Sequence, residues 1–575
     1  PMETLRQLVQ TESRLHTVTE VALVACLFGG LVLVRTVRSR RREKRLIAKL
    51  QNQRERSLQQ AEQRVMKYKQ HPVTNSAFIL NLSLSELTNQ LQEGSLSPEE
   101  VFYAYMDKTL DVQQKLNCCT EIILDSFEQL KAIDSGKKGL LYGVPVSLKE
   151  NIFLKVHASS CGVVRFVHQP ADDDCVLVKV LKKQGAIPFV RTNVPQSLLN
   201  YDCSNQFYGQ TLNPCNLQKT PGGSSGGEAS LIAGGGSVIG LGSDIGGSVR
   251  IPASFCGICG LKPTSGRLSS RGLKSIYRGQ KAVLSSIGPL GKDVDSLALF
   301  MRAILCDDMY SLDPTVPPLP FKEEVYRSRK PLRIGYFEQI EETPASPSMI
   351  RAVQEVKALL EQAGHTLVPY SPVKVEMNEL AIKGAISDGG GTYVQQLKGS
   401  RIDPTLRAQF LIYRIPNWLK KIIAFIIKPL VNFNCISLIG KKKQQTFYLL
   451  FRSVAGLWKL HASIEDTIAE WQRLNIDVVL CPIIGPAFNF NYCGKLTCMA
   501  SFSMIYNVLN FCAGVVPVSI VTAQDEKNLC HLAAKGGEGL PVAVQCVALP
   551  WQDELCLRFM KEVEELVKKQ RINER

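Results

Sequence analysis

The chain has 575 residues, 45% hydrophobic and 21% charged, a composition that can bury a large core and excludes a disordered or fibrous protein. Its formal net charge is +16, yet the cations gather near the N-terminus and over 401–445 instead of across one module, which points to a membrane surface and away from nucleic acid. Eighteen cysteines include the adjacent Cys118 and Cys119 and several within apolar runs, so they read as reduced, buried thiols and not as a disulfide framework.

The first patterned element is Val21–Val34, VALVACLFGGLVLV, followed by Arg35, Arg38, Arg40, Arg41, Arg42, Lys44 and Arg45. A cleaved signal peptide carries its positive charge before the apolar run, whereas here it follows. The 14 apolar residues fall short of a spanning helix, which needs roughly 20. Extension over Val18–Val37 with Arg35 snorkelling makes up the length, so a transmembrane helix is expected within 1–37. The positive-inside rule then places the remainder in the cytosol. Lys44–Lys69 is charged, glutamine-rich and free of Gly and Pro, and 38–90 is expected to be a basic, helical linker.

Ser97-Pro98-Glu99-Glu100 is a capping box with proline at the first helical position and predicts a helix from Pro98 to near Leu116. Periodicity predicts further helices over Cys175–Lys183, Ser348–Ala363, Trp458–Leu474 and Gln552–Val567. Strands are predicted at Ala186–Val190, Leu332–Tyr336, Ile476–Leu480 and Val542–Val547. Such alternation implies an α/β sheet with helices on both faces. Pro314–Pro320, PTVPPLP, reads as a stiff connector.

Gln409–Val431 carries Arg414, Lys421 and Lys428 at seven-residue spacing, and a second stripe of Leu411, Ile415, Trp418, Ile422 and Phe425 or Ile426. Pro416 and Pro429 break it. An apolar stripe beside so many cations predicts a helical hairpin lying in a bilayer interface, apolar face down.

The chemistry concentrates in Pro221–Thr264, where Ser224 sits in Gly-Gly-Ser-Ser-Gly-Gly and Ser248 in Asp-Ile-Gly-Gly-Ser. Glycines let Ile245-Gly246-Gly247-Ser248 turn successive N–H groups toward one point, a nest suited to an oxyanion. The Walker pattern is absent, and Gly240-Leu-Gly242 lacks the third glycine of a dinucleotide fingerprint. Gly222–Gly226 also fits G-x-S-x-G, which would make Ser224 the nucleophile of an elbow, but the stretch before it, Asn213–Pro221, reads as a loop where an elbow needs a strand. His365, His461 and His531 lie in no acid-bearing motif, and Cys256-x-x-Cys259 has no second pair at zinc spacing and reads as packing.

This serine- and glycine-rich block resembles the amidase signature, and Tyr142-Gly-Val-Pro-Val-Ser-Leu-Lys149-Glu150 looks like the segment that supplies that family's lysine. The likeness runs from about Leu91 to the C-terminus, so 91–575 is expected to be an amidase catalytic domain. The resemblance implies a large twisted mixed β-sheet surrounded by helices. It also implies Ser248 as nucleophile, Ser224 as bridging serine, Lys149 as base, and the N–H groups of Ile245, Gly246, Gly247 and Ser248 as oxyanion hole, with neither metal nor cofactor. A serine hydroxyl needs a base to take its proton, and lysine can serve only if its pKa is lowered toward neutrality. The membrane-bound branch of the family further implies fatty acid amide substrates, a cap with Leu411, Ile415, Trp418, Ile422 and Ile426 against the bilayer, a homodimer, and an endoplasmic reticulum location facing the cytosol. Val521–Pro541 looks shorter than in that branch. Two alternatives are an amidase of polar amides and a non-catalytic membrane scaffold on the same fold.

Overall fold

In the computed structural model the described residues are 2–70, 75–133, 139–277, 283–340, 345–371, 388, 390–416, 418–419, 422–423, 462–493, 496, 500–529 and 532–573. The chain forms two units, Pro1–Asn52 and Gln53–Arg575. In the first unit the chain is one unbroken helix, the start of Met2–Lys69, with Leu23, Leu27, Phe28, Leu31 and Leu33 exposed. At 1.5 Å per residue the apolar run covers about 21 Å, against about 30 Å of hydrocarbon. No helix among the described residues is long and apolar enough to cross a membrane, so the spanning helix expected within 1–37 is not confirmed.

The second unit is built on strands β1 (Cys119–Ile122), β2 (Pro145–Lys149), β3 (Ile187–Thr192), β4 (Ser204–Asn205), β5 (Gly209–Gln210), β6 (Ile239–Asp244), β7 (Cys259–Lys262), β8 (Ser286–Gly291), β9 (Arg333–Tyr336), β10 (Thr366–Pro369), β11 (Val478–Pro482), β12 (Cys512–Ile520) and β13 (Pro541–Ala548). β4 and β5 form a small hairpin. The other eleven make one sheet in the order β1-β3-β2-β6-β8-β7-β12-β13-β11-β9-β10. It is mixed: β2 runs parallel to β3 and β6, and β9 parallel to β10 and β11, while the remaining neighbours are antiparallel. Every residue of β2, β3, β6, β7 and β8 is buried, as the covered interior of such a sheet requires. The helices Gly226–Ala233, Arg250–Cys256, Pro347–Gln362 and Asp553–Asn573 pack against it.

The capping box forms as expected: Ser97 and Glu100 exchange hydrogen bonds, Pro98 is in the first turn, and the helix runs Pro98–Leu116. The helices Val176–Lys183 and Pro347–Gln362 agree with expectation to within a residue or so, and Asp553–Asn573 runs longer. A helix covers 462–474, while 458–461 lie outside the described residues. Predicted strand ends shift by up to two residues, as at β3 and β11.

The expected linker, 38–90, is helical through Lys69, but only its 38–52 part lies outside the second unit. From Gln53 onward the long helix belongs to the second unit. Ala61 and Val65 are buried, Arg64 lies 4.4 Å over the Phe127 ring, Tyr68 stacks on Tyr103 at 4.1 Å, and Ser57 Oγ accepts the Ile122 N–H at 3.1 Å. Ile79, Leu84, Leu87 and Leu91 likewise enter the main core. PTVPPLP is strapped down as a connector: Tyr310 donates to the Leu319 carbonyl at 2.8 Å and Arg267 to that of Pro320 at 3.2 Å.

Candidate active site

Parallel strands β2 and β6 pair Ser147 with Gly240 and Leu148 with Leu241, so their carboxyl ends deliver Lys149 and Ser243 side by side. Open α/β sheets bind ligands at such strand ends. Lys149 is fully buried, with Nζ 2.8 Å from Ser224 Oγ, 2.9 Å from Ser243 Oγ and 3.1 Å from the Ser243 carbonyl oxygen. A neutral amine has two hydrogens and one lone pair. As the ammonium, Nζ donates to all three oxygens; as the neutral amine with both hydrogens on Ser243, its lone pair is left to take the Ser224 proton. Burial pulls the Lys149 amine down to about 7, against the opposing pull of the Asp244 carboxylate.

Ser224 lies in the loop before helix Gly226–Ala233 and is buried. The first turn of that helix closes tightly on its neighbours: a Cβ on Gly227 would stand 2.3 Å from the Asn193 nitrogen. Among the described residues no strand lies in 211–225, so the elbow geometry that would make Ser224 a nucleophile is missing. Ser248 is the more open of the two serines, and its carbonyl accepts the Ser225 N–H at 3.1 Å, tying the two serine loops together.

Asp244, at the end of β6, organises the second loop. Its carboxylate accepts the N–H groups of Gly247 at 2.7 Å and Val249 at 3.0 Å, and pairs with Arg250 through Nε at 3.1 Å and an Nη at 3.0 Å. Burial opposes this charge, but the Arg250 guanidinium outweighs it and holds the carboxyl well below the usual range. Arg250 is itself buried and donates to the Ser503 carbonyl at 2.9 Å, Gln545 Oε1 at 2.7 Å and Asn507 Oδ1 at 2.7 Å. Gly247 has φ +117°, which favours glycine.

The expected four-donor oxyanion hole is corrected here. Gly247 N–H is committed to Asp244, which removes it from the set. The N–H groups of Ile245, Gly246 and Ser248 meet no acceptor among the described residues.

Sequence reasoning missed Ser243, Asp244, Arg250, Ser503, Asn507 and Glu228. Burial pushes the Glu228 carboxyl up to about 8, and it accepts from Ser147 Oγ at 2.6 Å and Thr192 Oγ1 at 2.8 Å. The buried His365 is structural, with Nδ1 accepting the Leu332 N–H at 2.9 Å and Nε2 2.8 Å from Glu562. His461 and His531 lie outside the described residues. Cys256 is buried and donates to the Pro221 carbonyl at 3.4 Å.

Residues 100–557 match the family described as Amidase. The chain belongs to the amidase family. It is a hydrolase acting on amide bonds. It is 47% identical over 568 residues to fatty-acid amide hydrolase 1 of Sus scrofa, covering 95% of this chain and 96% of that one. It is 50% identical over 415 residues to vitamin D3 hydroxylase-associated protein of Gallus gallus, 71% of this chain and 89% of that one. The fatty acid amide hydrolase 1 of Caenorhabditis elegans is 37% identical over 514 residues, 85% of this chain and 88% of that one. A solved structure described as fatty acid amide hydrolase shares the fold at TM-score 0.75 and 23% identity, over 92% of this chain and 96% of that one.

Of the expected cap, helix Arg407–Arg414 is described, with 418–419 and 422–423 also helical. Leu411, Ile412, Trp418 and Ile422 are exposed and Ile415 is half-buried. Tyr413 packs inward on Tyr393, ring centroids 5.6 Å apart. Lys421, Phe425, Ile426 and Lys428 lie outside the described residues. Within 521–541, Thr522 and Asp525 cap helix Ala523–Lys527, and Glu526 accepts the N–H groups of Gly536 and Gly537 at 2.5 and 3.0 Å.

Proposed function

We propose that the chain cleaves fatty acid amides to a free fatty acid and an amine or ammonia, through Ser248, Ser224 and Lys149. The observation that carries this reading is a buried lysine, pulled down to about 7, with Nζ 2.8 Å from Ser224 Oγ. Ser248 Oγ attacks the amide carbon while its proton passes to Ser224 and the Ser224 proton to Lys149 Nζ. The carbonyl oxygen, now negative, is held by the N–H groups of Ile245, Gly246 and Ser248. When the C–N bond breaks, the proton returns from Lys149 through Ser224 to the departing nitrogen. Water, deprotonated by the same relay, attacks the acyl ester, and Ser248 recovers its proton as the acid leaves.

The lipid substrate class rests on the relatives named for fatty acid amides and on the exposed apolar residues Leu411, Ile412, Trp418 and Ile422, set among Arg407 and Arg414. Together with Val21–Val34 and its cations, these surfaces favour association with an intracellular membrane, the catalytic unit facing the cytosol. A paired chain, as the resemblance implies, belongs to the same proposal. The test is kcat/KM over amides of increasing acyl length. A rise with chain length supports the reading, and a preference for acetamide or glutamine over a long-chain amide overturns it.

A further inference from the structure

The eight-residue helix Ser501–Val508 closes over the loop that follows β6, although the two are far apart in sequence. Ser503 and Asn507, four residues apart, lie on one helical face. Ser503 Oγ donates to the Gly246 carbonyl at 2.6 Å, with the Ala500 carbonyl of its own helix farther off at 3.0 Å. Asn507 Nδ2 donates to the Asp244 carbonyl at 3.2 Å and to Asp244 Oδ1 at 3.0 Å. Met504, between them, reaches Gly246: a Cβ there would stand 3.3 Å from its Cε.

A trans peptide points its C=O and N–H in opposite directions, so pinning one fixes the other. The Gly246–Gly247 peptide is held at both ends, its carbonyl by Ser503 and its N–H by Asp244. The Gly247 carbonyl accepts the Ile251 N–H at 2.7 Å, which turns the Ser248 N–H the other way. The Asp244 carbonyl, taken by Asn507, does the same for the Ile245 N–H. Two of these carbonyls are held from one distant helix: Asn507 thereby aims the Ile245 N–H, and Ser503 fixes the peptide that lies between the Gly246 and Ser248 donors.

We infer that Ser503 and Asn507 are positioning residues for amide cleavage, acting through the loop backbone to aim the donors that hold the oxyanion. This inference rests on the assignment of Ser248 as nucleophile. Both side chains are buried and donate their hydrogen bonds to the loop. Ser503 sets the tilt of the one peptide shared by Gly246 and Gly247, and a Cβ on Gly247 would stand 2.3 Å from its Oγ, so the hydroxyl is seated directly against the turn.

The experiment compares the unmutated enzyme with Ser503→Ala on a long-chain amide and on the matching trifluoromethyl ketone, whose hemiketal oxyanion mimics the tetrahedral intermediate. A directly removed oxyanion donor costs about 10²–10³ in kcat. For an indirect anchor the expected loss is about tenfold in kcat, with KM unchanged. Ketone affinity falls by the same factor, and the pH midpoint set by Lys149 stays where it was. A merely structural role would move KM, the pH midpoint and the thermal midpoint along with kcat. Unchanged kcat and ketone affinity in Ser503→Ala overturn the inference, as does a loss of kcat without loss of ketone affinity. Asn507→Ala, scored by the same ratio of kcat to ketone affinity, provides an independent check if Ser503→Ala folds poorly. Turnover that persists in Ser248→Ala would instead overturn the nucleophile assignment, so the two failures are distinguishable.

Discussion

If Lys149 is the base, its proton governs the rate of acylation. An ordinary lysine at pH 7, with a pKa near 10.4, is neutral in about one molecule in two to three thousand. With the amine pulled down to about 7, roughly half the molecules are neutral, a gain of about 10³ in the competent form. The sign follows from the direction of the shift: neutral amine accepts the proton and ammonium does not, so activity rises with pH through the lowered pKa and flattens above it. Between pH 6 and 8 the neutral share climbs from about 9% to about 91%, a tenfold rise. The assay is the single-turnover rate of acyl-enzyme formation across that range, for the unmutated enzyme and for Lys149→Ala. The variant should lose about 10²–10⁴ in rate, the usual contribution of a positioned base, and its residual rate should lose the limb near 7. A limb centred near 10 would mean the lysine is not desolvated in solution, and an unaltered limb in Lys149→Ala would assign the proton to another group.

Arg250→Met leaves the buried Asp244 carboxylate without its guanidinium, and should lower unfolding free energy by about 3–5 kcal/mol in urea titration, with hydrolysis abolished. Gly247→Ala places a Cβ against Ser503 at a residue with φ +117°, so hydrolysis should fall at least a hundredfold while circular dichroism still reports a folded protein. Leu411→Glu with Ile422→Glu removes two exposed apolar groups, each contributing about 1.5–3 kcal/mol when buried in a bilayer. In protein lacking 1–37, this pair should reduce liposome flotation at least tenfold and leave turnover of a short soluble amide intact; undiminished flotation would refute the cap as a membrane contact.

The candidate residues were legible because their motifs are contiguous: Lys149 ends an apolar run, and Ser224 and Ser248 stand in glycine turns within one block. What holds them was not, because Arg250 meets Asn507 at a separation of 257 residues and Gln545 at 295. Strand β6, IGLGSD, escaped because small residues are needed there: a Cβ on Gly240 would stand 2.1 Å from Glu228 Oε2, so the strand lacks branched side chains to signal it. The docked end of the long helix was hidden for the opposite reason. Its buried positions, Ala61 and Val65, stand among Glu, Gln and Arg that dominate the composition, while Arg64 and Tyr68 make their contacts through ring faces. The count of oxyanion donors also needed coordinates, since a sequence shows four N–H groups but not that Asp244 takes one of them.

The most direct test of the central claim is mass spectrometry of the protein after reaction with a serine-directed fluorophosphonate. The adduct should map to Ser248, at the end of the Ile245–Gly247 turn, and should vanish in Ser248→Ala while that variant remains folded. An adduct on Ser224 that survives Ser248→Ala would contradict the assignment.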